Sequence, residues 1–169
     1  MPQLDQVDAE EFKQGMRRLA AAVNIVSTLE DGHPGGMLAT AVCSVSADPP
    51  SLLACVNRGS RTYGALVQSG AFCVNVLSDD QLGLARNFLS LKGPDRFNLC
   101  GWRSLVTGSP AIDDAMINFD CEISSSFDVG SHNIIVGRVV AVRRRSNGTP
   151  LLYFEGDYRN LANAGLASA

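Results

Sequence analysis

The residues best suited to holding a charged ligand lie where a strand-like segment runs into a helical one. The apolar segment Ser51–Val56 is followed by residues 57–62 (NRGSRT) and then by a helical pattern. Ser60 can cap that helix, and the free N–H groups at a helix start attract anions. Arg58 and Arg61 add the forked guanidinium donors that suit a phosphate. From the residues alone, a phosphate site and an ordinary capped helix with two solvated arginines are equally good interpretations.

A second candidate is the segment Met37–Ala47, whose side chains are unusually small. Strand alternation would put Ala39 and Ala41 on one face, with Thr40 and Ser44 on the other. A flat ring system could lie close to the backbone of such a strand and bond to the two hydroxyls. On pattern alone, a strand packed against a helix through small residues is the favoured interpretation.

A single histidine is the third feature that could do chemistry. His132 follows the turn-like Gly130-Ser131 and opens an apolar, strand-like run. A lone histidine beside a turn is more often a structural hydrogen-bonding group than a catalyst. The chain has two histidines and five cysteines, with neither HExxH nor a CxxC pair, which argues against a metal site. The GxSxG, Walker A, GxGxxG and SxxK motifs are missing, which argues against serine hydrolases, P-loop enzymes and Rossmann dinucleotide enzymes.

Composition sets the class of protein. The chain has 169 residues (18.0 kDa), of which 46% are hydrophobic and 18% charged, as expected for one globular domain over residues 1–169. Its net charge of -3 offers no basic face for nucleic acid. No apolar stretch approaches the ~20 residues that a membrane helix needs. The acidic N-terminal residues are unlike a signal or transit peptide, which favours a cytoplasmic location, and the cysteines are interpreted as small, reduced, buried hydrophobes.

Periodicity predicts a mainly β chain with a few helices. Asp8 and Glu11 form a capping-box pattern that opens a helix, and apolar residues at helical spacing extend it to near Val23. Two further helical segments are Thr62–Ser69 and Asp79–Leu89. The predicted strands are Asn24–Leu29, Met37–Ala47, Ser51–Asn57, Phe72–Leu77, Met116–Ser126, Asn133–Arg143 and Leu151–Phe154. Strands joined by hairpin-like turns, with helices inserted rather than alternating, favour an antiparallel barrel with peripheral helices.

Several motifs occur together in a fixed order along the chain. They are GMLATAVCSVS (36–46), DPP (48–50), CVN (55–57), FCVNVL (72–77), DRF (95–97), GSH (130–132) and LLY (151–153), the last leading to Tyr158. In this order they resemble the short-chain flavin reductases that supply two-component monooxygenases, over a core from about Phe12 to Arg159. Within that family the motifs are most similar to the reductases of 4-hydroxyphenylacetate, chlorophenol and pyrimidine-ring monooxygenases.

The resemblance implies a split β-barrel that binds flavin, with an N-terminal helix and peripheral helices, usually as a homodimer. It also implies an NAD(P)H:flavin oxidoreductase, in which NADH or NADPH reduces FMN or FAD by hydride transfer and the reduced flavin passes to a partner monooxygenase. The cofactor does the chemistry, so no general acid or base is required of the protein. Two alternatives are a flavin-binding electron-transfer protein of the same fold and a reductase of a non-flavin acceptor such as a corrin.

The resemblance also implies which residues form the site. The segment that lines the flavin ring and ribityl chain in the family corresponds to Leu38, Ala39, Thr40, Ala41 and Ser44. The flavin phosphate region corresponds to Asn57, Arg58, Ser60 and Thr62. The element beside the nicotinamide corresponds to Gly130, Ser131 and His132, and Tyr158 is the last residue of the implied site. His132 is expected to position the nicotinamide. Many relatives have Thr at position 38 and Asp at position 131. This chain therefore lacks one hydroxyl at the flavin, for which backbone groups or Thr40 must substitute, and it lacks the carboxylate beside His132 that would favour an acid role.

Overall fold

The computed structural model describes residues 7–161, so the ends of the predicted domain, residues 1–6 and 162–169, lie outside the described residues. The helices are α1 (Ala9–Met16), α2 (Arg61–Ser69) and α3 (Leu82–Ser90), with short 3-10 helices at Asp79–Gln81 and Gly93–Phe97. The strands are β1 (Ala21–Ala22), β2 (Asn24–Glu30), β3 (His33–Ala39), β4 (Val42–Ala47), β5 (Pro50–Asn57), β6 (Ala71–Val76), β7 (Trp102–Ser104), β8 (Pro110–Ile112), β9 (Ile117–Val129), β10 (His132–Arg144), β11 (Leu152–Phe154) and β12 (Asp157–Arg159). None of the helices in the described range has the length and apolar character needed to cross a membrane.

Seven antiparallel strands form the main sheet, in the order β3-β2-β6-β9-β10-β5-β4. The two edge strands, β3 and β4, are consecutive in the chain and are joined by Thr40 and Ala41 alone. A flat sheet of this order would be roughly 29 Å wide, whereas the chain from Ala39 to Val42 spans at most about 11 Å. The sheet must therefore curl until its edges meet at this junction. This confirms the mainly β split barrel that the motifs imply.

Two apolar clusters hold the fold together. The first fills the barrel, where Leu66 of α2 packs with Phe72 and Ile135. A Cβ atom at Gly137 would lie 2.5 Å from the ring of Phe72, so this position of β10 has room for glycine only. The second cluster joins α3, through Phe88 and its neighbours, to β2 and to the 3-10 helix that follows. The two smaller sheets, β1-β11-β12 and β7-β8, lie outside the main sheet.

Most of the predicted strands and both internal helices are confirmed to within a few residues. The prediction of one continuous strand over Met37–Ala47 is wrong. The chain bends at Thr40 and Ala41, so this segment supplies the end of β3 and all of β4, which lie at opposite edges of the sheet order. Strand alternation does not run through the bend, and the predicted division of this segment into two faces does not apply across it.

The first helix begins where the sequence predicts and ends earlier. The Asp8 carboxylate accepts hydrogen bonds from two N–H groups of the first turn, each at 2.8 Å. The helix ends at Met16 rather than near Val23 because the next residues are used in β pairing. β1 pairs with β11, and the Glu155 N–H donates to the carbonyl of Arg17 at 2.8 Å.

Candidate functional site

The first group of predicted site residues lies where the two sheet edges meet. Around Thr40 is a cleft of about 200 Å³, named the junction cleft, which is lined by Val23, Leu38, Ala39, Thr40, Leu89, Tyr153 and Tyr158. The hairpin of β11 and β12 supplies the two tyrosines, whose rings meet edge to face with their centroids 5.8 Å apart. Burial raises the pKa of Tyr158, and the nearby Tyr153 raises it further, so its phenol stays protonated at neutral pH. The cleft combines apolar and aromatic walls with the small Ala39 side chain, which suits a flat ring.

The bend beside this cleft exposes backbone donors. The N–H groups of Thr40 and Ala41 find no acceptor among residues 7–161, and both residues are exposed. Their carbonyl groups are already in use, accepting from Val42 N at 3.0 Å and from Cys55 N at 2.9 Å. Leu38, where many relatives have Thr, packs into the second apolar cluster. The bend therefore offers two free backbone donors beside the cleft.

The second group includes residues 57–62, which link β5 to α2 and are named the 57–62 turn. The Asn57 side-chain oxygen accepts from Gly59 N at 2.8 Å, and the Ser60 hydroxyl accepts from Tyr63 N at 3.2 Å. The predicted Ser60 cap of α2 is thereby confirmed. The N–H groups of Arg61 and Thr62, the first two of the helix, have no acceptor in the part of the chain described by the structure. Two free donors at a helix start suit an anion.

Both arginines of the 57–62 turn already have carboxylate partners. A guanidinium nitrogen of Arg58 lies 3.4 Å from Asp128, and Arg61 donates to Glu30 at the end of β2. The Arg61 side chain is 74% exposed, whereas that of Glu30 is 22% exposed. Neither interpretation from the sequence, a phosphate site or a capped helix with two solvated arginines, included these ion pairs. Two carboxylates from other strands, Asp128 of β9 and Glu30 of β2, balance the positive charge of the turn.

The hairpin that joins β9 to β10 carries the remaining predicted residues. Gly130 and Ser131 form its two-residue turn, with Gly130 at a positive φ of 55°. His132 opens β10 and is exposed, and its Nδ1 lies 3.0 Å from the Ser131 hydroxyl. The nearby carboxylate of Asp128 binds Arg58 and the amide of Asn133 instead of the imidazole.

Strand β5 connects the two groups. Its Cys55 donates to the carbonyl of Ala41 at the bend, and its Asn57 lies opposite His132 of β10. Two residues of a strand cover about 7 Å, so the bend and the 57–62 turn are close neighbours along β5. Ser44 lies elsewhere, facing a separate concavity of about 290 Å³ that is lined by residues of β4, β5, β9 and β10.

Sequence reasoning missed several residues of this region. Tyr153 and Leu89 line the junction cleft, and Asp128 and Asn133 connect to the 57–62 turn. The two-residue turn at Gly130 was the available signal for Asp128, because such a turn places residues 128 and 133 opposite each other. Leu89 carried no such signal, since its place in the cleft depends on how α3 packs.

A family model described as a flavin reductase like domain matches residues 16–162. The chain belongs to this family. One curated relative, the FMN reductase (NADH) RutF 1 of Methylorubrum extorquens, is 43% identical over 159 residues, covering 94% of this chain and 79% of the relative. Among solved structures, BorF, the flavin reductase component of a bacterial two-component tryptophan halogenase, has a TM-score of 0.83 at 32% identity, covering 90% of this chain and 98% of BorF. The NADH:FAD oxidoreductase SgcE6 of Streptomyces globisporus, in complex with NAD and FAD fragments, has a TM-score of 0.87 at 26% identity, covering 98% and 99% of the two chains.

Proposed function

We propose that this protein is a flavin reductase that uses NADH to reduce FMN or FAD and passes the reduced flavin to a partner monooxygenase. The observation that carries the proposal is that β5 joins a ring-sized apolar cleft to a helix start with free N–H donors. A flavin nucleotide has the two matching parts, a flat ring system and a phosphate. Similarity to an FMN reductase (NADH) and to a reductase component of a two-component system supports the same conclusion.

The described residues fit a flavin nucleotide at this end of the barrel. We assign the ring to the junction cleft, where the free N–H groups of Thr40 and Ala41 match its oxygen and nitrogen acceptors. We assign the phosphate to the free N–H groups of Arg61 and Thr62. Bound flavin supplies the redox chemistry by accepting a hydride from NADH.

The residues of the chain then have binding and orienting roles. Tyr153 and Tyr158 exclude water from one side of the ring site, and the bend fixes the polar edge of the ring. We assign the positioning of the nicotinamide to His132, which is exposed beside Asn57 of the 57–62 turn. No side chain needs to donate or remove a proton, since hydride transfer moves no proton through the protein.

The proposal includes a homodimer. The concavity faced by Ser44 has five large apolar side chains in its lining, namely Val42, Leu52, Phe119, Val139 and Val142, together with Cys43, Ser46, Pro50 and Ser51. Val142, one of these side chains, is 51% exposed. Large exposed apolar patches mark interaction sites, and a second copy of the chain is the proposed occupant. Sedimentation equilibrium tests this directly, because a monomer at micromolar concentration would contradict it.

Steady-state consumption of NADH tests the reductase proposal. We expect purified protein to oxidise NADH at a rate that saturates with added FMN or FAD, and to be slower with NADPH. The absence of flavin-dependent consumption with either nucleotide would contradict the proposal. Stoichiometric, tightly held flavin with slow NADH oxidation would instead select a flavin-binding electron carrier. Faster electron transfer to a cobalt corrin than to free flavin would select a non-flavin acceptor.

A further inference from the structure

The β9–β10 hairpin holds Arg58 through two contacts. The backbone N–H of Arg58 donates to the carbonyl of Ser131 at 3.0 Å. Its guanidinium lies 3.4 Å from Oδ2 of Asp128, at the end of β9. Arg58 therefore ties the 57–62 turn to the hairpin, and its charge has a carboxylate partner within the chain.

Asp128 is itself held in place from within the barrel. Its other oxygen, Oδ1, accepts a hydrogen bond of 2.7 Å from the side-chain amide of Asn133, the residue directly opposite it on β10. Asn133 is only 3% exposed, so its side chain is confined. Its own amide oxygen has no hydrogen-bond partner among the described residues, which leaves Asp128 as the single hydrogen-bond partner of the Asn133 side chain there. The buried amide thus fixes one carboxylate oxygen and leaves the second for Arg58.

The pair of Arg58 and Asp128 is suited to exchange rather than to permanent attachment. The two side chains are 46% and 51% exposed, and their closest approach of 3.4 Å is longer than a charge-assisted hydrogen bond of about 2.8 Å. Pairs of this kind are weak because water screens them. A phosphate carries more charge than a carboxylate, and it can accept two parallel N–H bonds from a guanidinium. Asp128 offers Arg58 only Oδ2, because Oδ1 is bound by Asn133, so a phosphate can displace Asp128 from Arg58.

We propose that Asp128 is a positioning residue that competes with the phosphate of a bound nucleotide for Arg58 and so keeps that nucleotide weakly held. The inference rests on the proposed function, because a reductase that hands over its flavin must also release it. It differs from that function in assigning a carboxylate that opposes binding. Arg58 exchanges Asp128 for phosphate when the nucleotide binds and returns to Asp128 when it leaves.

Equilibrium binding of FMN to the Asp128→Asn variant tests the proposal. The new side-chain oxygen still accepts from Asn133, while the negative charge is removed. Titration of flavin fluorescence is expected to show a Kd about 1.5- to 5-fold lower than wild type at low ionic strength. The difference should shrink as salt is added, because salt screens exposed charges. A Kd that is unchanged or higher for both FMN and NADH, in a variant that melts like wild type, would overturn the proposal.

The chain offers a matched control on the same hairpin. Glu122 of β9 pairs with Arg138 of β10 at 2.6 Å, and both side chains are 51% exposed. Glu122→Gln removes the same charge away from the 57–62 turn and should leave the Kd unchanged. An equal decrease in the Kd for FMN in Glu122→Gln would show that the effect comes from net charge alone and would overturn the proposal. The same conclusion would follow if Asp128→Asn still tightened binding in an Arg58→Gln background.

Two further ligands identify the phosphate. Riboflavin has the ring without the phosphate, so Asp128→Asn should leave its Kd unchanged, and equal tightening of riboflavin would overturn the proposal. If Asp128→Asn lowers the Kd for NADH and not that for FMN, the result would support the exchange of Arg58 between Asp128 and a phosphate. It would assign that phosphate to the nicotinamide nucleotide. Wild-type protein that binds FMN without oxidising NADH would contradict the proposed function alone. Wild-type protein that is active while Asp128→Asn binds no tighter would contradict this inference alone.

Discussion

Replacing Gly137 by alanine tests whether the barrel is packed as described. An added Cβ would lie 2.5 Å from the Phe72 ring and 2.8 Å from Cβ of Cys121, and both of these residues are at most 1% exposed. Neither side can move without disturbing the first apolar cluster. Overpacking of this kind costs about 1–3 kcal/mol. For a chain of this length, each kcal/mol lowers Tm by about 2–4 °C, so Gly137→Ala should lower it by about 2–12 °C.

Gly64→Ala supplies the matched control for this prediction. The same methyl group is added within α2, where a Cβ meets nothing within 4 Å. Alanine is favoured over glycine in a helix by about 0.5–1 kcal/mol. We therefore expect the two alanine substitutions to shift Tm in opposite directions, as measured by circular dichroism and urea unfolding. Gly137→Ala melting within 1 °C of wild type, as an order-of-magnitude threshold for no effect, would refute the packing of β10 against Phe72.

Four further predictions concern the site and the cysteines. Ser60→Ala should lower the free energy of unfolding by about 1 kcal/mol, because it removes the α2 cap. It should also raise the Kd for FMN more than the Kd for riboflavin, whereas Ser60→Thr should restore the stability and the two Kd values. His132→Ala should raise the KM for NADH with little change in kcat, and unchanged kinetics would remove His132 from the site. At neutral pH a thiol reagent should leave the buried Cys73 and Cys121 unlabelled until the protein unfolds. Because burial raises the pKa of Cys121 from 9.0 to about 12, the unfolded chain ionises first, and urea stability should fall as the pH rises above 9; a flat profile there would contradict it.

Helix caps and individual helices and strands could be predicted, because residues close together in the sequence specify them. The Asp8 and Ser60 caps, the strand alternation of β5 and the helical spacing of α2 each depend on neighbours within a few residues. The family motifs correctly indicated the split barrel and the flavin reductase family. The assignment of individual residues to flavin and nicotinamide stays a prediction.

Features set by distant parts of the chain could not be predicted. The bend at Thr40 arises because β3 and β4 lie at opposite edges of the sheet order and must meet when the sheet curls. Residues 37–47 show no break in β propensity that would reveal it. In the same way, the sequence places Arg58 in the turn between a strand and a helix, but it does not reveal its partner. Asp128 lies about 70 residues away in sequence, and the register of the β9–β10 hairpin fixes its position.

The most direct test of the central claim is the anaerobic reaction of catalytic amounts of the protein with NADH and an excess of free FMN. The visible absorbance of oxidised flavin reports how much FMN has been reduced. We expect the whole flavin pool to bleach over many turnovers, at an initial rate that is proportional to protein concentration and saturates with FMN. Bleaching that stops after one equivalent of flavin per protein, or that is no faster than with NADH alone, would contradict the claim that this protein is a flavin reductase.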